Sequence, residues 1–122
     1  MVRCHPAVQP GQRWLTVEGQ MSVAAPGERL QMRFDLYRRW HPGDTEVRVP
    51  GPGLGTENRA GEGTATYRFR KTVRNLPAPA DYRMRVTLTW RSPQGRQLAQ
   101  LTRFSTPCHQ PELRPDLPLS VP

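Results

Sequence analysis

Two Cys-His pairs stand near the ends of this 122-residue chain, Cys4-His5 and Cys108-His109, and no other residues here offer as much chemistry. Four nitrogen and sulfur ligands gathered in one place can hold zinc tetrahedrally. Paired zinc ligands, however, usually leave about two to four residues between them, and neighbours in an extended chain point to opposite sides. The spacing therefore argues against a metal centre, and neither a metal nor a cofactor is expected; His5 and His109 read as exposed flanks of the two cysteines. Catalytic chemistry has no better footing. No serine or cysteine lies in a nucleophile motif, His41 sits in a Pro-Gly turn, and the carboxylates are scattered without a pair fixed on one face, so acid, base and nucleophile roles have no owners. The run Pro50-Gly-Pro-Gly-Leu-Gly55 is rich in glycine but lacks the Gly-Lys-Ser/Thr that grips phosphates. The segment 50–63 is the longest irregular stretch and the natural place for a mobile binding loop. A hydrolase working through that loop is kept as one alternative function; the primary expectation is that the chain is not an enzyme.

Arginine is the next chemical resource. The chain has 18 basic residues against 10 acidic ones, a net charge of +8, and all but one of the basic residues are arginine. The absence of isoleucine and the scarcity of asparagine point to GC-rich codon usage, which explains arginine over lysine but not the excess of positive charge. Such an excess concentrates polyanions and speeds their encounter. Arg33, Arg83 and Arg85 are the candidate polyanion-binding residues, and Arg68, Arg70 and Arg74 form a second set.

The elements that must position these groups are legible as a period of two. Ala65, Tyr67, Phe69, Lys71 and Val73 alternate with polar neighbours, as do Tyr82, Met84, Val86, Leu88 and Trp90; Leu30, Met32, Phe34 and Leu36 do the same, and Leu15, Val17, Met21 and Val23 share one parity. Successive strand side chains point to opposite faces, so each run has one buried and one wet side. Turn residues separate the runs at Ala25-Pro-Gly-Glu, His41-Pro-Gly-Asp, Leu76-Pro-Ala-Pro and Ser92-Pro-Gln-Gly. Six main strands are expected, near 14–23, 29–39, 45–49, 64–74, 81–91 and 96–105, in an all-β sandwich or barrel. Residues 1–108 form the single domain, and 109–122, with Pro111, Pro115, Pro118 and Pro122, form a stiff tail or linker whose Pro115-Asp-Leu-Pro118 has the spacing of a polyproline ligand.

In that frame Arg33, Arg83 and Arg85 share the exposed side of the 29–39 and 81–91 strands, while Arg68, Arg70 and Arg74 line the outer side of 64–74. Glu18, Asp35 and Glu46 are placed to offset some of them across strands. Phe34, Tyr67, Phe69, Tyr82 and Trp90 all fall in inward parity, so the aromatic-interleaved basic groove of single-strand binders is not expected.

Cys4 and Cys108 bracket the six strands. An even number of alternating strands begins and ends at one pole, which brings the two cysteines within reach of a disulfide and points to an oxidising compartment. Met1-Val-Arg-Cys has no apolar leader core, and no stretch is long enough to cross a membrane as a helix. The preferred expectation is an extracellular or cell-surface location with a leader upstream of the given sequence; the alternative is a cytoplasmic protein with two free thiols.

The stretch Leu76-Pro-Ala-Pro-Ala-Asp-Tyr82-Arg-Met84-Arg-Val86 resembles the corner between strands E and F of fibronectin type III and immunoglobulin-like domains. The resemblance implies that Tyr82 is the corner tyrosine bonded to backbone near Leu76, that Met84 takes the place of the second core cysteine, and that the six strands are B, C, C′, E, F and G. It implies an antiparallel sandwich of six to seven strands that serves as a non-catalytic module for protein interaction, adhesion or spacing, its partner another protein or a cell-envelope polymer. The rival expectation is a basic domain binding acidic polysaccharide or nucleic acid through Arg33, Arg83 and Arg85.

Overall fold

The alternating runs become strands almost residue for residue in the computed structural model, which describes residues 1–112. In chain order they are β1 (Val2–His5), β2 (Trp14–Ser22), β3 (Arg29–Arg39), β4 (Val47–Val49), β5 (Glu57–Arg59), β6 (Thr66–Arg74), β7 (Ala80–Arg91), β8 (Gln97–Phe104) and β9 (Cys108–Gln110). Six of these match the six expected strands. β1, β5 and β9 are three or four residues long, too short for a period of two to announce them. All pairing is antiparallel. One sheet has the order β1-β2-β6; the other has β4-β3-β7-β8, with β5 also on β3 and β9 also on β7. The chain is therefore an all-β sandwich of a three-stranded and a six-stranded sheet.

Between the sheets lie Leu15, Val17 and Met21 from β2, Leu30, Met32, Phe34 and Leu36 from β3, and Tyr82, Met84, Val86 and Leu88 from β7. Each such side chain contributes roughly 1.5–3 kcal/mol by leaving water. Tyr67, Phe69 and Trp90 pack on this core half-buried, and the Trp90 indole N–H donates to the Ser22 carbonyl at 2.7 Å. Gly19 replaces an apolar residue in the inward series of β2 because the sheets approach closely there. A Cβ on Gly19 would stand 2.8 Å from the Met32 sulfur.

At the β6–β7 corner Leu76 is buried, and the Tyr82 hydroxyl donates to the Pro77 carbonyl at 2.5 Å. Burial pushes the Tyr82 phenol up to about 12. The peptide bond between Ala78 and Pro79 in this corner is cis.

Cys4 and Cys108 are joined by a disulfide, with their Cα atoms 5.4 Å apart. Cys4 belongs to β1 of the three-stranded sheet, and Cys108 to β9, which pairs with the start of β7 in the other. One covalent bond thus ties both sheets and both ends of the strand order. The buried Gln110 reinforces the junction by donating from Nε2 to the His5 carbonyl at 3.1 Å. Strand pairing continues through Gln110, two residues past Cys108. The polyproline-like Pro115-Asp-Leu-Pro118 falls outside the described residues.

The 50–63 segment is more ordered in its bonding than its glycines imply. Glu57, Asn58 and Arg59 pair with Arg33, Met32 and Gln31 of β3, and the Gly55 N–H donates to the Phe34 carbonyl at 2.8 Å. Lys71, the one polar residue in the inward series of β6, reaches out from that edge strand and donates to the Pro52 carbonyl at 2.7 Å. Gly53 has φ of +71°, so the backbone there favours glycine; a Cβ would also meet Lys71 Nζ at 2.5 Å, which the flexible end of the lysine can relieve by moving off the Pro52 carbonyl. Among the described residues no helix is long and apolar enough to cross a membrane.

Candidate functional site: an arginine and aromatic surface

The outer face of the six-stranded sheet gathers Arg33, Arg83 and Arg85. Strand pleating sets the rows: Asp35 of β3 lies opposite Arg85 of β7, Tyr37 lies opposite Arg83, and Phe104 of β8 flanks Arg85 on its other side. Arg48 enters the same surface from β4, opposite Tyr37. All these residues have the wet parity of their strands, which is why one face collects them.

Asp35 is the centre of this face. Its carboxylate is fully buried, yet Arg33 and Arg85 each come within 3.1 Å of it and Arg48 within 3.9 Å. A buried carboxylate is costly unless paired and hydrogen-bonded, and here several cations share the duty. Arg83 makes its own pair, with Nε 2.7 Å from Glu46 Oε1 and 2.9 Å from Oε2. Farther out, Arg39 pairs with Asp81 at 3.3 Å and Arg91 reaches Glu57 at 4.0 Å. The arginines of this face are thus partly neutralised by carboxylates from neighbouring strands.

Aromatic rings lie among them. The Arg83 guanidinium sits 4.2 Å from the centroid of the Phe104 ring and that of Arg85 5.3 Å from Tyr37, within cation–π range. The two rings are 6.5 Å apart, and Phe104 is 49% exposed. This corrects the expectation that no aromatics interleave with the basic residues. The five inward aromatics do not account for the whole set: Tyr37 shares the wet parity of Arg33 and Asp35, and that parity was the signal available. Phe104 was harder to place, because the β7–β8 register shifts between Trp90 and Arg91.

Beside the cluster runs a groove of about 250 Å³ lined by Gln31, Arg33, Thr87, Thr89, Gln100 and Thr102. A larger cleft of about 780 Å³ opens at one pole, where the 50–63 segment contributes Arg59 and Glu62 beside Glu28, Arg29 and Arg91. Glu28 is already occupied there, accepting from the Ala24 N–H at 2.6 Å and the Ala25 N–H at 3.2 Å. Arg91 likewise donates to Gln31 Oε1 and to the Gly95 carbonyl.

The two Cys-His pairs are drawn apart chemically. Both sulfurs are consumed in the disulfide; His5 stacks on Trp14 with centroids 5.0 Å apart, and its Nδ1 contacts the Gln12 carbonyl. His109 Nδ1 lies 2.6 Å from Asp81 Oδ1. That hydrogen bond, helped by Arg39, holds the Asp81 carboxyl below its ordinary range despite partial burial. No cluster of three or more metal-ligating side chains occurs among the described residues.

Comparison with protein-family models, curated proteins and solved structures gives no match. Function therefore rests on the surface itself. Guanidiniums held by carboxylates and stacked on the half-buried Tyr37 and the exposed Phe104 are pre-ordered contact groups. They offer area and directional hydrogen bonds more than net charge.

Proposed function

We propose that the protein is a non-catalytic module of an oxidising, extracellular or cell-surface space, and that it binds another protein through the outer face of its six-stranded sheet. The observation that carries this reading is the partly neutralised arginine and aromatic surface centred on Arg83, Arg85, Tyr37 and Phe104. Arginine and large aromatics are the residues enriched where proteins meet, and rings with few rotatable bonds lose little entropy on docking. The disulfide between Cys4 and Cys108 supports the compartment. The strand order β1-β2-β6 against β4-β3-β7-β8 and the Tyr82 bond to Pro77 support an immunoglobulin-like or fibronectin-type-III-like module.

A second reading places a polyanion on Arg33, Arg83 and Arg85. The interleaved Tyr37 and Phe104 favour it. Asp35 and Glu46 weigh against it, since they already occupy the same guanidiniums.

The test is a photo-crosslinking amino acid, benzoylphenylalanine, placed at Phe104 and separately at Gln20 on the opposite sheet, with irradiation of intact cells of the native host. A discrete protein adduct should appear from position 104 and be several-fold weaker or absent from position 20. Equal yields from both positions, or no adduct from 104, would remove the protein-binding reading.

A further inference from the structure

The chain carries a second outer face, and its charge is organised differently. On the three-stranded sheet the antiparallel register stacks five rows: His5–Trp14–Arg74, Arg3–Thr16–Thr72, Glu18–Arg70, Gln20–Arg68 and Ser22–Thr66. These are the outward positions, since Leu15, Val17 and Met21 of the same strand point into the core. Arg3, Arg68, Arg70 and Arg74 are exposed on it, and Glu18 is the only acidic residue of the three strands. Glu18 pairs with Arg70 at 3.5 Å. Arg3, Arg68 and Arg74 have no carboxylate partner among the described residues. The face therefore keeps most of its positive charge, whereas on the six-stranded sheet Asp35, Glu46, Glu57 and Asp81 draw it down.

We infer that this three-stranded face, and not the Arg33, Arg83 and Arg85 cluster, binds an anionic polymer, and that the polymer is an acidic polysaccharide. Arg68, Arg70 and Arg74 stand at alternate positions of one strand, so their roots span roughly 20 Å along β6 at about 3.3 Å per residue, with Arg3 two strands away. This is a track for an extended chain bearing repeated carboxylates or sulfates. Between the cations the surface offers hydroxyls and amides: the exposed Ser22 and Thr66, whose hydroxyl oxygens are 3.2 Å apart, the half-buried Thr72, whose Oγ1 lies 2.6 Å from that of the buried Thr16, and the exposed Gln20. Hydroxyl pairs of this kind can redirect their protons toward sugar hydroxyls. At one end the stacked His5 and Trp14 rings, only 5° from parallel, present a single apolar plate beside Arg74, enough for one sugar face. Single-stranded nucleic acid needs successive aromatic platforms for successive bases, and the face has just this one. The choice of polysaccharide over nucleic acid also leans on the oxidising compartment of the proposed function. The charge pattern itself does not.

The test uses the purified, disulfide-bonded chain and three probes: heparin, polygalacturonate and oligo(dT). Affinity for the two polysaccharides should fall steeply with salt, because each neutralised anion releases condensed counterions. Changing Arg3, Arg68 and Arg74 together to Gln should lower the slope of log K against log salt by about 2, at about 0.7 per lost contact on a single-stranded polyanion. The matching triple change to Lys should keep the slope, which separates lost charge from lost folding. Arg48→Gln with Arg83→Gln, on the other sheet, should leave the slope as it is. Absence of polysaccharide binding at low salt, an unchanged slope in the Gln triple, or loss of slope in the Arg48 and Arg83 variant would each overturn the assignment. Tighter binding of oligo(dT) than of either polysaccharide would overturn the choice of ligand. None of these outcomes depends on the crosslinking result at Phe104.

Discussion

Replacing Cys4 and Cys108 together with alanine should lower the unfolding free energy by roughly 3–5 kcal/mol, the scale for opening a cross-link that closes about a hundred residues. The bond spans 104 positions of sequence, so the unfolded chain gains nearly the whole freedom that the cross-link removed. With a urea dependence typical of this size, the midpoint should fall by about 2 M. The loss should also be local. β1 is held by four residue pairs to β2 and β9 by three to β7, and all four residues of β1 are exposed. Amides of those two strands should lose hydrogen-exchange protection first, while β3 and β7 keep theirs. A midpoint within experimental scatter of the wild type would mean that the pairing of β1 and β9 stands without the bond.

Asp35→Ala should be the most damaging single change on the candidate binding face, costing about 3 kcal/mol. Removing one partner of a buried ion pair typically costs about 3–5 kcal/mol. The lower end applies because Arg33 and Arg85 are each about a third exposed and can turn to water. The effect should be non-additive with Arg85→Ala, since the two residues share one contact. Equilibrium unfolding of the two single variants and the double variant checks this. A cost under about 1 kcal/mol for Asp35→Ala, or strict additivity, would mean that the cluster is a solvated ornament of the sheet and not its anchor.

The two changes show how unevenly the molecule can be read from its residues. β2, β3, β6, β7 and β8 are long enough for an alternating pattern to repeat, and Leu30 through Leu36 or Tyr82 through Trp90 state their inward side without ambiguity. β5 has three residues, and its pairing depends on where Gly53 and Gly55 turn the chain, at φ of +71° and +74°, which no local pattern displays. The disulfide was legible because two cysteines flanking six expected alternating strands fall at one pole, within reach of each other; β4 and β5 run in the same direction along β3, so the added strand leaves that pole unchanged. On the functional face, the parity of Arg33, Arg83 and Arg85 was plain, and so were the acidic residues able to offset them. The burial of Asp35 was not. A carboxylate at an outward strand position looks solvated, and it is closed off by guanidiniums arching over it from β3, β7 and β4 together with Gly55 of the 50–63 segment, which lies against it. Phe104 was lost for a related reason, because a register shift at the β7–β8 turn sets which way the end of β8 faces.

The redox state of Cys4 and Cys108 in the organism that makes the protein tests the proposed setting most directly, since an extracellular binding module and a cytoplasmic one differ first in that bond. Cells are quenched in acid, free thiols are alkylated under denaturing conditions, and the mass of the chain is read before and after reduction. An oxidising compartment gives a chain that takes up no label until it is reduced, then two labels. A chain that takes up two labels straight after the quench contradicts the extracellular assignment, and with it the partner class proposed for either face.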